Sequence, residues 1–100
     1  MLRTIRLYGE LGKKYGKVHR LHVASVAEAI RALSANFKDF KQHLIDSDKR
    51  IAGYEVWDGK HNLSRENTDD FYMHNNGEIK IIPRIVGGSN VGRIIAGLIS

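Results

Sequence analysis

Thr4-Ile5-Arg6-Leu7-Tyr8 alternates polar and apolar side chains, the two-residue period of a half-buried strand, and predicts a first strand with Ile5 and Leu7 on one face. Lys17 to Val23 repeats the alternation, His19, Leu21 and Val23 on one side and Val18, Arg20 and His22 on the other, so the two runs predict a β-hairpin. The stretch between them, Gly9-Glu10-Leu11-Gly12-Lys13-Lys14-Tyr15-Gly16, carries three glycines in eight residues and predicts a reversing loop, too long for a two-residue turn. The period then changes. Ser25-Val26-Ala27-Glu28 matches the capping box, in which a serine hydroxyl accepts from a first-turn amide and the glutamate reaches back. Behind it Val26, Ile30, Leu33 and Phe37 recur at helical spacing, flanked by the slim Ala27, Ala29, Ala32 and Ala35. Asn36 reads as the stop, and Phe40 and Leu44 predict a short helical turn from Lys38 to Leu44.

The second half is less regular. Asp46-Ser47-Asp48-Lys49 reads as a polar turn, and Arg50 to Trp57 as a strand ended by Asp58-Gly59, with Gly53 marking a bulge or kink. Lys60 to Asp70 has few apolar groups besides Leu63, which predicts a loop without a core element and one short edge strand at Phe71-Tyr72-Met73. Asn75-Asn76-Gly77 signals a tight turn into a last strand, where Ile79 and Ile81 face one side and Lys80 and Ile82 the other. Pro83 cannot donate to a ladder, so pairing is expected to fail there on one side. This order predicts an α+β, β-grasp (ubiquitin-like) fold: a mixed sheet of four to five strands packed on one main helix, with the first and last strands parallel neighbours at its centre. Ile5, Leu7, Leu21, Val23, Ile79 and Ile81 join the helix stripe as the expected core.

Composition bounds the rest. One hundred residues, 42% of them apolar, support one domain with a modest core. There is no cysteine, hence no disulfide framework or thiolate metal site, and Met1-Leu2-Arg3-Thr4 opens no cleavable apolar leader, which together read as intracellular. A net charge of +5 favours acidic partners, but the basic residues are scattered among acids and read as a solvated surface, with no nucleic-acid partner expected. The glycine loop lacks the Gly-Lys-Ser/Thr of a phosphate-binding loop. Five histidines show no helical i, i+4 pair, His19 and His22 lie on opposite strand faces, and no metal or cofactor is expected. Asp69-Asp70 and Asp46-Ser47-Asp48 read as solvated loop acids, Ser34, Ser64 and Ser89 lack a triad setting, and no catalytic residue and no enzyme activity are expected. Trp57, Tyr54 and Tyr72 read as packing before they read as a binding face.

The functional signal sits at the end of the last strand. Arg84-Ile85-Val86-Gly87-Gly88 takes an apolar strand into a backbone bare of side chains, thin enough for a narrow slot and extended enough for main-chain recognition. The same glycines also fit a flexible joint. Residues 1–86 are thus expected as the folded domain and 87–100 as a Gly-rich apolar tail, too short for a bilayer span. The tail reads as the start of a longer region of which this chain is a fragment; alone it is expected to be disordered or docked, with membrane contact the lesser reading.

The strand order and diglycine resemble the ubiquitin-like sulfur carriers of thiamine and molybdopterin synthesis. Arg3-Thr4-Ile5-Arg6-Leu7-Tyr8-Gly9, Ala27-Glu28-Ala29-Ile30-Arg31-Ala32-Leu33 and Ile81-Ile82-Pro83-Arg84-Ile85-Val86-Gly87 together more specifically resemble the tail assembly protein I family of lambda-like bacteriophages. That resemblance implies a ubiquitin-like domain of a factor needed to build the tip of a long non-contractile tail. It implies other tail tip proteins as partners, among them a tail-encoded metallopeptidase and cell-wall peptidase that recognises or cuts near Gly87-Gly88, and the host cytoplasm as the place of assembly. The sulfur-carrier alternative needs a free carboxylate at Gly88, whereas here Ser89 to Ser100 follow, so it requires cleavage first.

Overall fold

The computed structural model describes residues 2–51, 54–63 and 68–83. Alternation becomes strand at both ends of the chain: β1 is Leu2–Leu7, β2 is Val18–His22 and β5 is Ile79–Pro83, with Ile5, Leu7, Ile79 and Ile81 buried and Thr4, Arg6, Lys80 and Ile82 turned outward. β3 is Tyr54–Asp58 and β4 the two residues His61–Asn62. The sheet order is β2-β1-β5-β3-β4. β1 and β5 are parallel and central, Ile5 opposite Ile79 and Leu7 opposite Ile81, while the remaining neighbours are antiparallel. The fold is therefore the α+β β-grasp arrangement. On the β1 side of β5 the pairing ends with the Tyr8 amide donating to the Ile81 carbonyl at 3.1 Å, whereas on the β3 side it continues to Pro83 opposite Tyr54. Alternation turns the donor-less Pro83 nitrogen toward β1, which is where the ladder stops.

Three helices cover one face. α1 spans Gly9–Tyr15, α2 Val26–Asn36 and α3 Phe40–Ile51. α2 is the main helix, capped by Ser25, whose Oγ accepts from the Glu28 amide at 3.2 Å, and it buries Val26, Ile30 and Leu33 against the sheet while Phe37 packs at the margin. Val23 joins this core; Leu21 is only partly buried.

Several expectations are corrected. The glycine-rich stretch is α1 and not a loop, because Leu11 and Tyr15 lie four apart and bury one helical face in the core. At Gly12 α1 lies hard against the end of β1: a Cβ there would run into the Leu7 carbonyl oxygen. The short turn at Lys38–Leu44 is the start of the longer α3, which absorbs the polar turn at 46–49 and the first residues assigned to a strand, since no Gly or Pro interrupts Phe40 to Ile51 and charged residues are compatible with a helix. The strand starts at Tyr54, and Gly53 lies outside the described residues. Residues 71–73 are no edge strand: Thr68–Tyr72 is a 3₁₀ helix that plugs the fully buried Phe71 against α2, and the edge is β4 instead. Leu63 is buried too, its amide donating to the Val56 carbonyl at 2.8 Å, so this region does supply core. The turn at Asn75-Asn76-Gly77 is present, with Gly77 at φ +104°.

The largest departure is polar. Asp58, expected only to end a strand, is fully buried and forms an ion pair with Arg3, itself 2% exposed. Arg3 also donates from Nε to the Gly77 carbonyl at 3.0 Å and from Nη1 to the Ala24 carbonyl at 3.2 Å, and Asp58 Oδ2 accepts from Asn75 Nδ2 at 3.0 Å. One charge pair thereby joins β1, β3, the approach to α2 and the approach to β5. Arg3→Ala and Asp58→Ala are each expected to lower the unfolding free energy by about 3–5 kcal/mol, because each strands a buried charge, while the double replacement Arg3→Met with Asp58→Leu is expected to lose much less. Urea unfolding measures all three; equal losses in single and double variants would contradict the pairing. Gly12→Ala, which helix propensity alone would favour by about 1 kcal/mol, is expected to destabilise by about 1–3 kcal/mol through the Leu7 contact, and a more stable variant would show α1 free to move off the sheet.

Candidate functional site

β5 ends at Pro83, beside the start of α1, where a Cβ on Gly9 would lie 3.2 Å from the Pro83 ring. The parallel pair fixes this place: β1 hands over to α1 at the same end of the sheet where β5 finishes. A cavity of about 510 Å³ opens at this corner, lined by Arg6, Tyr8, Lys13, Lys17 and Val18 over the backbone of Leu7, Gly9 and Gly12. Three cationic side chains line it, and no acid does among the described residues. Arg6 is held by Glu78 at 2.9 Å, whereas Lys13 and Lys17 have no ion pair among the described residues. Tyr8 and Val18, 38% and 43% exposed, supply an apolar border.

Behind the corner an aromatic cluster anchors α1. The Tyr15 ring packs at 5.2 Å from Phe37, 5.0 Å from Phe40 and 5.5 Å from His43, and His19 of β2 meets Phe37 at 5.7 Å. Outside it Lys14 pairs with Asp39 at 2.7 Å. That hydrogen bond raises the Lys14 pKa above its ordinary 10.5 and lowers Asp39 below 3.8. Burial raises the Tyr15 phenol above 10.0, with the Asp39 charge adding to it. α1 is thus fixed on its inner side by rings and at its end by a surface ion pair.

Arg84, Ile85, Val86, Gly87 and Gly88, the residues expected to be recognised, lie outside the described residues, as does the tail at 89–100. What the structure gives is their point of departure. Among the described residues no cluster of His, Cys, Asp or Glu is arranged to hold a metal, His19 and His22 differ in exposure as their opposite faces require, and no helix is long and apolar enough to cross a membrane.

A family model described as bacteriophage lambda tail assembly protein I matches residues 2–88. The chain belongs to that family. A curated relative, tail tip assembly protein I of Escherichia phage N15, is 38% identical over 92 residues, covering 91% of this chain and 46% of the relative. The chain therefore spans about half the length of the curated relative it matches. No solved structure matches it.

The cationic corner is hidden in the sequence because the three glycines around Lys13 predict a loop where the fold has α1. The signal was present: Leu11 and Tyr15 at helical spacing place Lys13 on the opposite face of α1, beside Lys17 at the mouth of β2. The ion pair and the burial of Tyr15 give the alkaline behaviour a sign. Tyr15 and Lys14 have raised folded-state pKa values, so their contributions are complete below about pH 10 and are lost as pH rises through those values; Asp39, being lowered, loses its contribution only as pH falls below 3.8. Tyr15→Phe keeps the ring packing and removes the phenol, so its stability is expected to fall less steeply than wild type between about pH 9 and pH 12. Thermal unfolding midpoints across that range check this, and parallel curves would mean that the folded environment does not act on the phenol.

Proposed function

We propose that this domain is a non-enzymatic assembly module of the phage tail tip, acting in the host cytoplasm, whose β-grasp body binds other tail proteins and presents Arg84-Ile85-Val86-Gly87-Gly88 for recognition or cleavage by a tail-encoded peptidase. The observation that carries this reading is the central parallel pair. With β5 described to Pro83, the diglycine follows four and five residues later in the sequence, too near for a second folded unit to intervene and of a composition that a partner can grip through its main chain. The family match closes at Gly88, which supports taking body and diglycine as one unit and residues 89–100 as the beginning of the next region. The relative's name supports the tail tip as the place of action.

Affinity in this mode comes from main-chain pairing and from the seating of Ile85 and Val86, while the glycines admit the ribbon to a slot that any β-carbon would obstruct. Replacing Gly87 and Gly88 together by leucine is expected to leave the unfolding transition of the body unchanged and to abolish processing by the partner. The measurements are co-purification with neighbouring tail proteins and intact mass of the chain from infected cells. Undiminished processing of the double variant would remove the diglycine from the reading, and a species ending at Gly88 with a sulfur or adenylate adduct would replace assembly with carrier chemistry.

A further inference from the structure

We propose that the corner cavity between β1, α1 and β2 is a docking site for an acidic peptide segment of a partner protein, its carboxylates on Lys13 and Lys17 and an apolar side chain against Tyr8 and Val18. The inference deepens the assembly reading and rests on it. Three observations favour this occupant. The lining holds Arg6, Lys13 and Lys17 without an acid, and only Arg6 has an ion-pair partner among the described residues, so two ammonium groups converge on one mouth with their charge uncompensated. Tyr8 and Val18 are among the few large apolar side chains left exposed in the described residues, and they flank those ammonium groups, which suits a ligand that is anionic and apolar within a few ångströms. β2 is the edge of the sheet, with no strand beyond it among the described residues; its exposed Arg20 continues the positive charge, so a segment seated in the cavity can run along that edge in extended form.

The wall is rigid. Gly12 is pressed against the Leu7 carbonyl, the Leu7 amide donates to the Lys17 carbonyl at 2.9 Å, and Tyr15 locks the far side of α1 into its ring cluster. Lys13 and Lys17 therefore project from backbone that is held in place before the ligand arrives, which reduces the ordering cost of binding. A cavity of about 510 Å³ closed by a helix on one side accommodates side chains. It offers no continuous basic groove of the kind a nucleic-acid backbone needs, since the other lysines are scattered among acids.

The test is an NMR and fluorescence titration of the 100-residue chain with an end-blocked octapeptide of glutamates around a central phenylalanine, alongside its lysine counterpart and a thymidine decanucleotide. The amide shifts are expected to cluster at Tyr8, Gly12, Lys13, Lys17 and Val18, and the affinity to fall with added salt. Lys13→Glu with Lys17→Glu, at exposed positions, is expected to weaken binding about fivefold or more while leaving the circular dichroism and melting transition unaltered. Unchanged affinity in that double variant, shifts elsewhere on the body, or equal binding of the lysine peptide overturns the proposal, and tighter binding of the decanucleotide turns the corner over to nucleic acid. Each of these results leaves the assembly reading to be judged on the processing of the diglycine variant, so the two can fail separately.

Discussion

The fold turns on a buried charge pair. Arg3 and Asp58 stand 55 residues apart in sequence, each on the apolar face of its strand, and both are removed from water. An isolated charge in such a place is prohibitive, so each requires the other, together with the carbonyls of Ala24 and Gly77 and the Asn75 amide that complete their hydrogen bonding. The geometry leaves little latitude. Because Arg3 grips Gly77 two residues before β5 begins, Ile5 is set opposite Ile79; a one-residue slip would send Ile79 and Ile81 to the solvent face and strand the guanidinium at once. Apolar burial supplies most of the stability here, as in other small domains, but it is indifferent to register in a way that a satisfied buried ion pair is not.

With the register fixed, the ends of the sheet acquire different characters. The end where β1 begins is closed by the polar hub and by the turn at Asn75-Asn76-Gly77. The opposite end carries the handover from β1 to α1, the finish of β5 at Pro83 and the cationic cavity. The restraint on α1 is local and steric, through Gly12 against Leu7 and the rings around Tyr15. These two sets of constraints share no residue, so the hub specifies the sheet and the ring cluster specifies the corner, and a change at one is expected to leave the geometry of the other largely in place.

What the sequence disclosed follows from the range over which each signal acts. Alternation at Thr4–Tyr8 and Lys17–Val23, the capping box at Ser25 and the stripe from Val26 are local patterns, and each became the element it predicted. Short elements were lost where one residue type dominated the reading: three glycines concealed the helix at Gly9–Tyr15, and the polar run after Leu44 concealed the extension of α3 to Ile51. Phe71-Tyr72-Met73 suggests a strand, and the 3₁₀ helix that holds Phe71 stays hidden because one buried aromatic in a polar segment has no period of its own. The hub was harder, because nothing local names a partner 55 residues away. It was still encoded: Arg3 shares the parity of Ile5 and Leu7, and Asp58 that of Tyr54 and Val56, so two opposite charges fall on the buried face of the strands that flank β5 on either side. Of the proposed site, the diglycine was visible as composition, whereas the cationic corner needed the fold to bring Lys13 and Lys17 together.

A body so constrained has a mechanical consequence for whatever follows Pro83. A recognition ribbon that leaves a loose domain must be ordered by its partner, at a cost of about 1–2 kcal/mol for each residue fixed. Here β5 is paired with β1 as far as Ile81 and with β3 as far as Pro83, so the direction of the strand is set by both neighbours up to its last described residue. The donor-less Pro83 nitrogen adds a second effect: it ends the ladder with β1 at a definite residue, since it faces that strand and has no proton to give. Strand and proline therefore act in different senses on the two sides of β5: the ladder with β3 runs through Pro83, and the ladder with β1 stops before it.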